Sequence, residues 1–203
     1  MTIFDDEDDY EAFERIVHEA IERTGTDLLA WCVMPNHWHL VVQPHEDGEL
    51  SRFVGWLTLT HTQRWHSHRH TVGSGHLYQG RFKSFPLQSD EHFLTVCRYV
   101  ERNALRAGLV RRAEDWPWSS LSRWLQSPIA GRPFPASWPL RRSPDWVGHV
   151  NRSQTEAEMM AVRTSIQRGR PLGDENWTRQ TVERLGMEST IRPKGRPKGK
   201  KGS

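Results

Sequence analysis

Residues 28–43 constrain the fold more than any other stretch of this 203-residue chain. Residues 28–34 form an apolar run of strand length, the pattern of a strand buried on both faces. Pro35-Asn36 breaks the run with two turn-forming residues, and residues 37–43 resume as a second strand. The pair reads as an antiparallel hairpin. Side chains alternate along a strand with period two, so His37 and His39 share one face and Trp38 takes the other.

Helical patterns flank the hairpin. Residues 5–24 place Phe13, Ile16, Val17, Ala20 and Ile21 at three- and four-residue spacing, with acids at the start and Gly25 as the stop. Glu46-Asp-Gly48 is a turn, and residues 50–68 form a second helix with Leu50, Phe53, Val54, Leu57 and Trp65 facing inward. Gly73-Ser-Gly75 is a loop, and residues 77–87 read as extended. Ser89 then suits the cap of a helix over 90–107, with Phe93, Cys97, Val100 and Ala104 as its core stripe and Gly108 as its stop. Tyr99, Asn103, His92 and Arg106 share an adjacent face of that helix.

A bare His-x-His is weak, because half-buried strands often carry two histidines by chance. Two neutral imidazoles on a rigid strand are nevertheless a start for a metal site, which needs further ligands from elsewhere. Tyr99 and Asn103, at i and i+4, stack one turn apart on one helix face. A phenol beside an amide oxygen, facing two histidines, is the composition of a metal-assisted nucleophile site.

Met34-Pro-Asn-His-Trp-His-Leu-Val, Leu77-Tyr-Gln-Gly-Arg-Phe-Lys83, Tyr99-Val-Glu-Arg-Asn-Ala-Leu-Arg-Ala-Gly-Leu-Val110 and Trp118-Ser-Ser120 follow one another in this order. In these motifs residues 5–121 resemble the REP-associated tyrosine transposases, single-tyrosine HUH endonucleases related to the transposases of small single-stranded-DNA insertion sequences. The resemblance implies an α+β, ferredoxin-like antiparallel sheet with helices on one face. It implies His37, His39 and Asn103 as ligands of Mg²⁺ or Mn²⁺, and Tyr99 as the nucleophile. The implied activity is metal-dependent cleavage and transfer of single-stranded DNA near hairpin or palindromic repeats, through a 5′-phosphotyrosine intermediate. Arg81, Lys83 and Arg106 are candidate DNA contacts, with structural support of the strand as the alternative for the first two. Members of that family begin with a further strand beside the HUH strand, whereas this chain begins at the helix. Either the start is placed late or the sheet lacks a strand, and an unpaired edge or gap beside the catalytic strand is then expected.

Two other functions stay open: a domesticated hairpin-binding protein without catalysis, and an RNA-directed binder or nuclease, which dependence on a 2′-hydroxyl would reveal. Charge favours a polyanionic partner. Residues 1–30 hold ten acids and two bases, a net of −8, which leaves +11 for the rest of a chain whose total is +3. Cys32 and Cys97 sit in apolar patterns and read as buried free thiols. With no secretory signal and no apolar run near ~20 residues, a cytoplasmic, nucleoid-associated protein without membrane contact is expected, monomeric or homodimeric.

Four regions are expected: a catalytic core over 1–125, a proline-rich linker or strap over 126–146, a helical accessory region over 147–188 and a basic tail over 189–203. The accessory region shows two helices, over 155–168 and 174–186, as either a helix-turn-helix-like DNA module or a docking hairpin. The tail carries Arg192, Lys194, Arg196 and Lys198, expected to hold phosphates without sequence preference, with Gly195-Arg196-Pro197 resembling an AT-hook. His61, His66, His68 and His70, with Arg64 and Arg69, read as a basic surface near DNA phosphates rather than as a zinc site.

Overall fold

A computed structural model describes residues 2–73 and 75–192. Lys194, Arg196 and Lys198 of the expected basic tail lie outside the described residues. The chain is α+β. Helix α1 (Glu7–Thr24) precedes the antiparallel strands β1 (Asp27–Met34) and β2 (His37–Gln43), followed by α2 (Glu49–His68) and α3 (Glu91–Glu101). Shorter helices follow: α4 (Asn103–Arg106), α5 (Ser120–Trp124) and α6 (Trp146–Asn151). The chain then forms α7 (Glu156–Arg168), α8 (Glu175–Leu185) and α9 (Glu188–Ile191).

Local chemistry sets the ends of the main helices. Asp6 caps α1 by accepting from the Asp9 amide, and Gly25 closes it in the left-handed region at φ 77°. Thr155 and Glu158 form a reciprocal capping box on α7. Asp90, not Ser89, caps α3 by accepting from the His92 amide. The helix expected over 90–107 is interrupted at Arg102, so Tyr99 lies in the last turn of one segment and Asn103 begins the next.

The hairpin register pairs Met34 with His37, Val33 with Trp38 and Cys32 with His39. Helices cover both of its faces, not one as expected. Leu28, Trp31 and Val33 join Trp38, Leu40 and Val42 against α1 and α2. Leu29, Ala30, Cys32, Met34 and Val41 pack against Phe93, Val96, Cys97 and Val100 of α3. The reason lies in β1, whose side chains are apolar on both faces and therefore need cover on both. A register irregularity between Leu28 and Ala30 turns Leu29 and Ala30 to the same side.

The two edges of the hairpin differ. The outer edge of β1 is closed by Trp118 O accepting from Val33 N at 2.9 Å and Ser120 Oγ accepting from Trp31 N at 3.1 Å. Trp116 Nε1 donates to Val33 O at 2.9 Å, and Trp138 Nε1 donates to Leu29 O at 2.7 Å. The latter bond lays the proline-rich segment along β1. In an antiparallel pair successive residues direct their backbone groups alternately to the partner and away. Trp38, Leu40 and Val42 therefore turn theirs outward on β2, and no described residue bonds to them. Residues 77–87 run near this open edge without pairing to it.

The acidic first helix meets its cations here. Arg64 is bidentate to Glu19 at 2.7 and 2.8 Å, and Arg69 binds Asp5 at 2.8 Å and Asp9 at 2.7 Å. Both arginines of the basic surface expected at the end of α2 are thus paired with acids more than forty residues away. His61 is buried there, within 2.5 Å of Tyr78 Oη. Both cysteines are free and buried.

Candidate active site

β2 presents His37 and His39 toward α3, as strand alternation requires. Their ring centroids are 4.9 Å apart and nearly perpendicular. The Tyr99 ring stands 6.1 Å from the His39 ring. All three line one cavity of about 1310 Å³ that runs along the open edge of β2. Its charged lining residues are Arg81, Lys83 and Arg184, and the lining holds no aspartate or glutamate. None of these three cations is in an ion pair with a described residue.

Both imidazoles are held neutral. His39 is lowered to about 3, first by burial and then by His37 and Arg106. His37 is lowered for the same leading reason. Asn36 Oδ1 lies 2.6 Å from His37 Nδ1, and an amide oxygen can only accept. Nδ1 therefore carries the proton, which leaves Nε2 with its lone pair. A neutral imidazole oriented through its other nitrogen is the form that ligates a metal. Among the described residues no group of three or more His, Cys, Asp or Glu could hold an ion, so further ligands would have to be an amide, a phosphate or water.

Asn103 supplies such an amide but is committed elsewhere. It is buried, its Oδ1 accepts from Arg106 Nη2, and its Nδ2 has no partner among the described residues. Arg106, expected at DNA, is turned inward. Its guanidinium lies 3.9 Å from the Tyr99 ring centroid and donates to Tyr99 O at 3.2 Å. Neither Asn103 nor Arg106 lines the cavity. Arg81 and Lys83 do, both exposed. Arg192 is exposed too, and its carbonyl accepts from Arg168. His92, expected on the tyrosine's face, bonds Asp90 at 2.8 Å.

The other two tyrosines are unavailable. Tyr10 on α1 is buried in the core and raised to about 12, first by burial. Tyr78 accepts from Trp38 Nε1 at 3.1 Å and bonds His61 Nδ1 at 2.5 Å. Trp38 thus locks the back of the strand whose front carries the histidines. Residue pattern did not reveal this chain of three side chains, since Trp38, Tyr78 and His61 are brought together only by packing. Arg184 and Trp177, which also line the cavity, were missed because the accessory helices carry no signal of proximity to the site.

No helix among the described residues is long and apolar enough to cross a membrane. No solved structure gives a significant match to the chain. A protein of Haemophilus influenzae named as a REP-associated tyrosine transposase is 23% identical over 134 residues, covering 62% of this chain and 74% of its own length. A REP-associated tyrosine transposase of Escherichia coli is 24% identical over 117 residues, covering 55% of this chain and 62% of its own length. Residues 1–103, which include the hairpin, the two histidines and the tyrosine, match the family described as IS200-like transposases. The chain belongs to the IS200-like transposase family.

Proposed function

We propose that this protein cleaves and rejoins single-stranded DNA near hairpins, with a divalent metal at His37 and His39 and Tyr99 as nucleophile. One observation carries the reading: two neutral imidazoles and a phenol face a common cavity whose lining has three unpaired cations, no carboxylate, and aromatic rings. A polyanion with exposed bases suits that lining, the cations for phosphates and the rings for stacking.

A bound Mg²⁺ or Mn²⁺ would neutralise charge that develops on the scissile phosphate. His37 and His39 would hold it through neutral nitrogens, and Asn103 would join if its oxygen turned away from Arg106. Tyr99 Oη attacks phosphorus, a phosphotyrosyl ester forms and the bond to the 3′ oxygen breaks. The phenol gives up its proton and the departing 3′ oxygen gains one. Attack by a second 3′-hydroxyl reverses the step, so strands are rejoined without an external energy source. Trp38 fixes the strand beneath the histidines, and Arg81 and Lys83 hold phosphates of the incoming strand.

The test is incubation of the protein with hairpin DNA flanking its own gene, in Mn²⁺, followed by a denaturing gel for a covalent adduct. Wild type is expected to give the adduct and Tyr99→Phe none, with hairpin binding retained. An adduct of undiminished yield in Tyr99→Phe would sink the assignment. The engagement of Asn103 by Arg106 favours a second reading, a hairpin-binding protein that has ceased to cleave. Tight, metal-independent binding without adduct in the wild type would establish it.

A further inference from the structure

The cavity is not completed by the matched segment alone. α7 lies against α3, where Arg98 donates to the Arg152 and Ser153 carbonyls at 2.9 and 3.0 Å and contacts Glu158 at 3.4 Å. Gly169, left-handed at φ 67°, ends α7 and returns the chain toward residues 86–88. There Leu172 N donates to Pro86 O and Gln88 N to Leu172 O, both at 2.9 Å. The Gln88 side chain closes the clamp, with Nε2 donating to Asp174 Oδ2 at 2.9 Å and Oε1 accepting from Asp174 N at 2.8 Å. Residues 81–87, which carry two of the cavity's cations, are therefore tied to the accessory helices by backbone bonds.

The clamp also aims α8. Asp174 Oδ1 caps it through the Trp177 amide at 2.8 Å. A Cβ at Gly173 would stand 2.4 Å from both Gln88 Oε1 and Trp177 Cε3, so only glycine lets the indole settle on this segment. Trp177 stays half-buried, and it lines the cavity together with Arg184. Seven residues apart, the two share one helix face about 10 Å apart along the axis. Arg184 is exposed and has no ion pair among the described residues. A half-exposed indole and an unpaired guanidinium on one face match the two parts of a nucleotide: a base to stack on and a phosphate to neutralise.

We infer that α8, outside the segment matched to the transposase family, supplies a subsite for single-stranded DNA next to the scissile phosphate. Trp177 stacks on an unpaired base and Arg184 holds a phosphate. The inference rests on the reading of the cavity as a single-stranded DNA site. Its chemistry is sequence-tolerant, because every base offers a π face and every nucleotide a charge.

The experiment uses the full chain and an oligonucleotide with a hairpin and a single-stranded arm, in which 2-aminopurine replaces one arm base at a time. Wild type is expected to quench one arm position on binding. Trp177→Ala should lose that quench and bind about tenfold or more weakly, the range of one lost base–aromatic stack. Trp177→Phe should keep part of both. Arg184→Gln, at an exposed position, should lower the slope of log affinity against log salt by about 0.7, the loss of one phosphate contact on a single strand. Thermal melts report folding, and if Trp177→Ala fails to fold, Trp177→Phe and Arg184→Gln decide. Wild type that neither binds the arm nor forms the adduct overturns the underlying reading. Wild type that does both, beside variants with unchanged affinity, quench and salt slope, overturns the subsite alone.

Discussion

The Arg106 guanidinium lies on the face of the Tyr99 ring, 3.9 Å from its centroid, and the same group holds the Asn103 amide oxygen. One cation therefore touches both the proposed nucleophile and a candidate metal ligand. On the proposed mechanism a positive charge over the phenol ring is more favourable as the oxygen becomes anionic, so Arg106 would assist attack while withholding Asn103. Arg106→Ala is expected to slow single-turnover cleavage roughly two- to thirtyfold, the range of one cation–π contact. Mn²⁺ affinity should hold or rise, since Asn103 is released. Parallel losses in rate and metal affinity would show that Arg106 organises the metal site instead. Arg106→Lys should recover little, because an ammonium cannot stack and fork at once.

The metal proposal separates ligands from their support. His37→Ala and His39→Ala should each weaken Mn²⁺ binding, measured calorimetrically without DNA, by at least about tenfold. Asn36→Ala removes the acceptor that sets the His37 tautomer and should cost roughly tenfold as well. Asn103→Ala should cost less, because water can replace an amide oxygen. Full Mn²⁺ affinity in both histidine variants would make the pair structural, whatever happens to activity.

Tyr78 predicts a stability effect transmitted to the site. Trp38 Nε1 can only donate, so Tyr78 Oη accepts from it and keeps its own proton for His61 Nδ1, which accepts in the tautomer that carries its hydrogen on Nε2. Tyr78→Phe keeps the ring but strands the N–H of a half-buried indole and a nitrogen of a buried imidazole. The expected cost is about 1–3 kcal/mol. Denaturant unfolding measures it, and a change below the error of that method would mean that water satisfies both groups.

Periodicity and caps made much of this legible. The two-residue break at Pro35-Asn36 defined the hairpin, and strand alternation alone separated His37 and His39 from Trp38. The acids at the start of α1 and Gly25 at its stop were readable because helix ends are local chemistry, and the expected helices over 155–168 and 174–186 begin at the residues that cap α7 and α8. What failed to show is non-local. α6 is six residues long and is held by Trp146, buried and donating to Glu101 Oε2 at 2.7 Å across 45 residues. Arg64 and Arg69 read as part of a basic surface because their acidic partners, on α1 and just before it, lie more than forty residues away in sequence. Tyr99 was legible as a helical residue facing the histidines, but the capture of Asn103 by Arg106 depends on rotamers that spacing does not encode.

His61 gives the molecule a pH dependence that can be checked apart from any DNA chemistry. It is 2% exposed and lowered to about 4, chiefly by burial. Its bond from Tyr78 requires an unprotonated Nδ1, which agrees with that direction. In the unfolded chain its pKa returns to about 6.5. Between about 4 and 6.5 the unfolded state therefore binds the extra proton. Stability is complete above 6.5 and is lost as pH falls through that window. His39, lowered to about 3, acts in the same direction. Each group adds a slope of up to about 1.4 kcal/mol per pH unit. His61→Gln keeps an acceptor for Tyr78 but has nothing to protonate. Unfolding free energies at pH 7, 6 and 5 should fall less steeply in this variant than in wild type, by close to one proton's slope. Carboxylates titrate alike in both chains and cancel in the difference. Identical slopes would mean that His61 takes up its proton in the folded state, and that the Trp38–Tyr78–His61 chain does not set its charge.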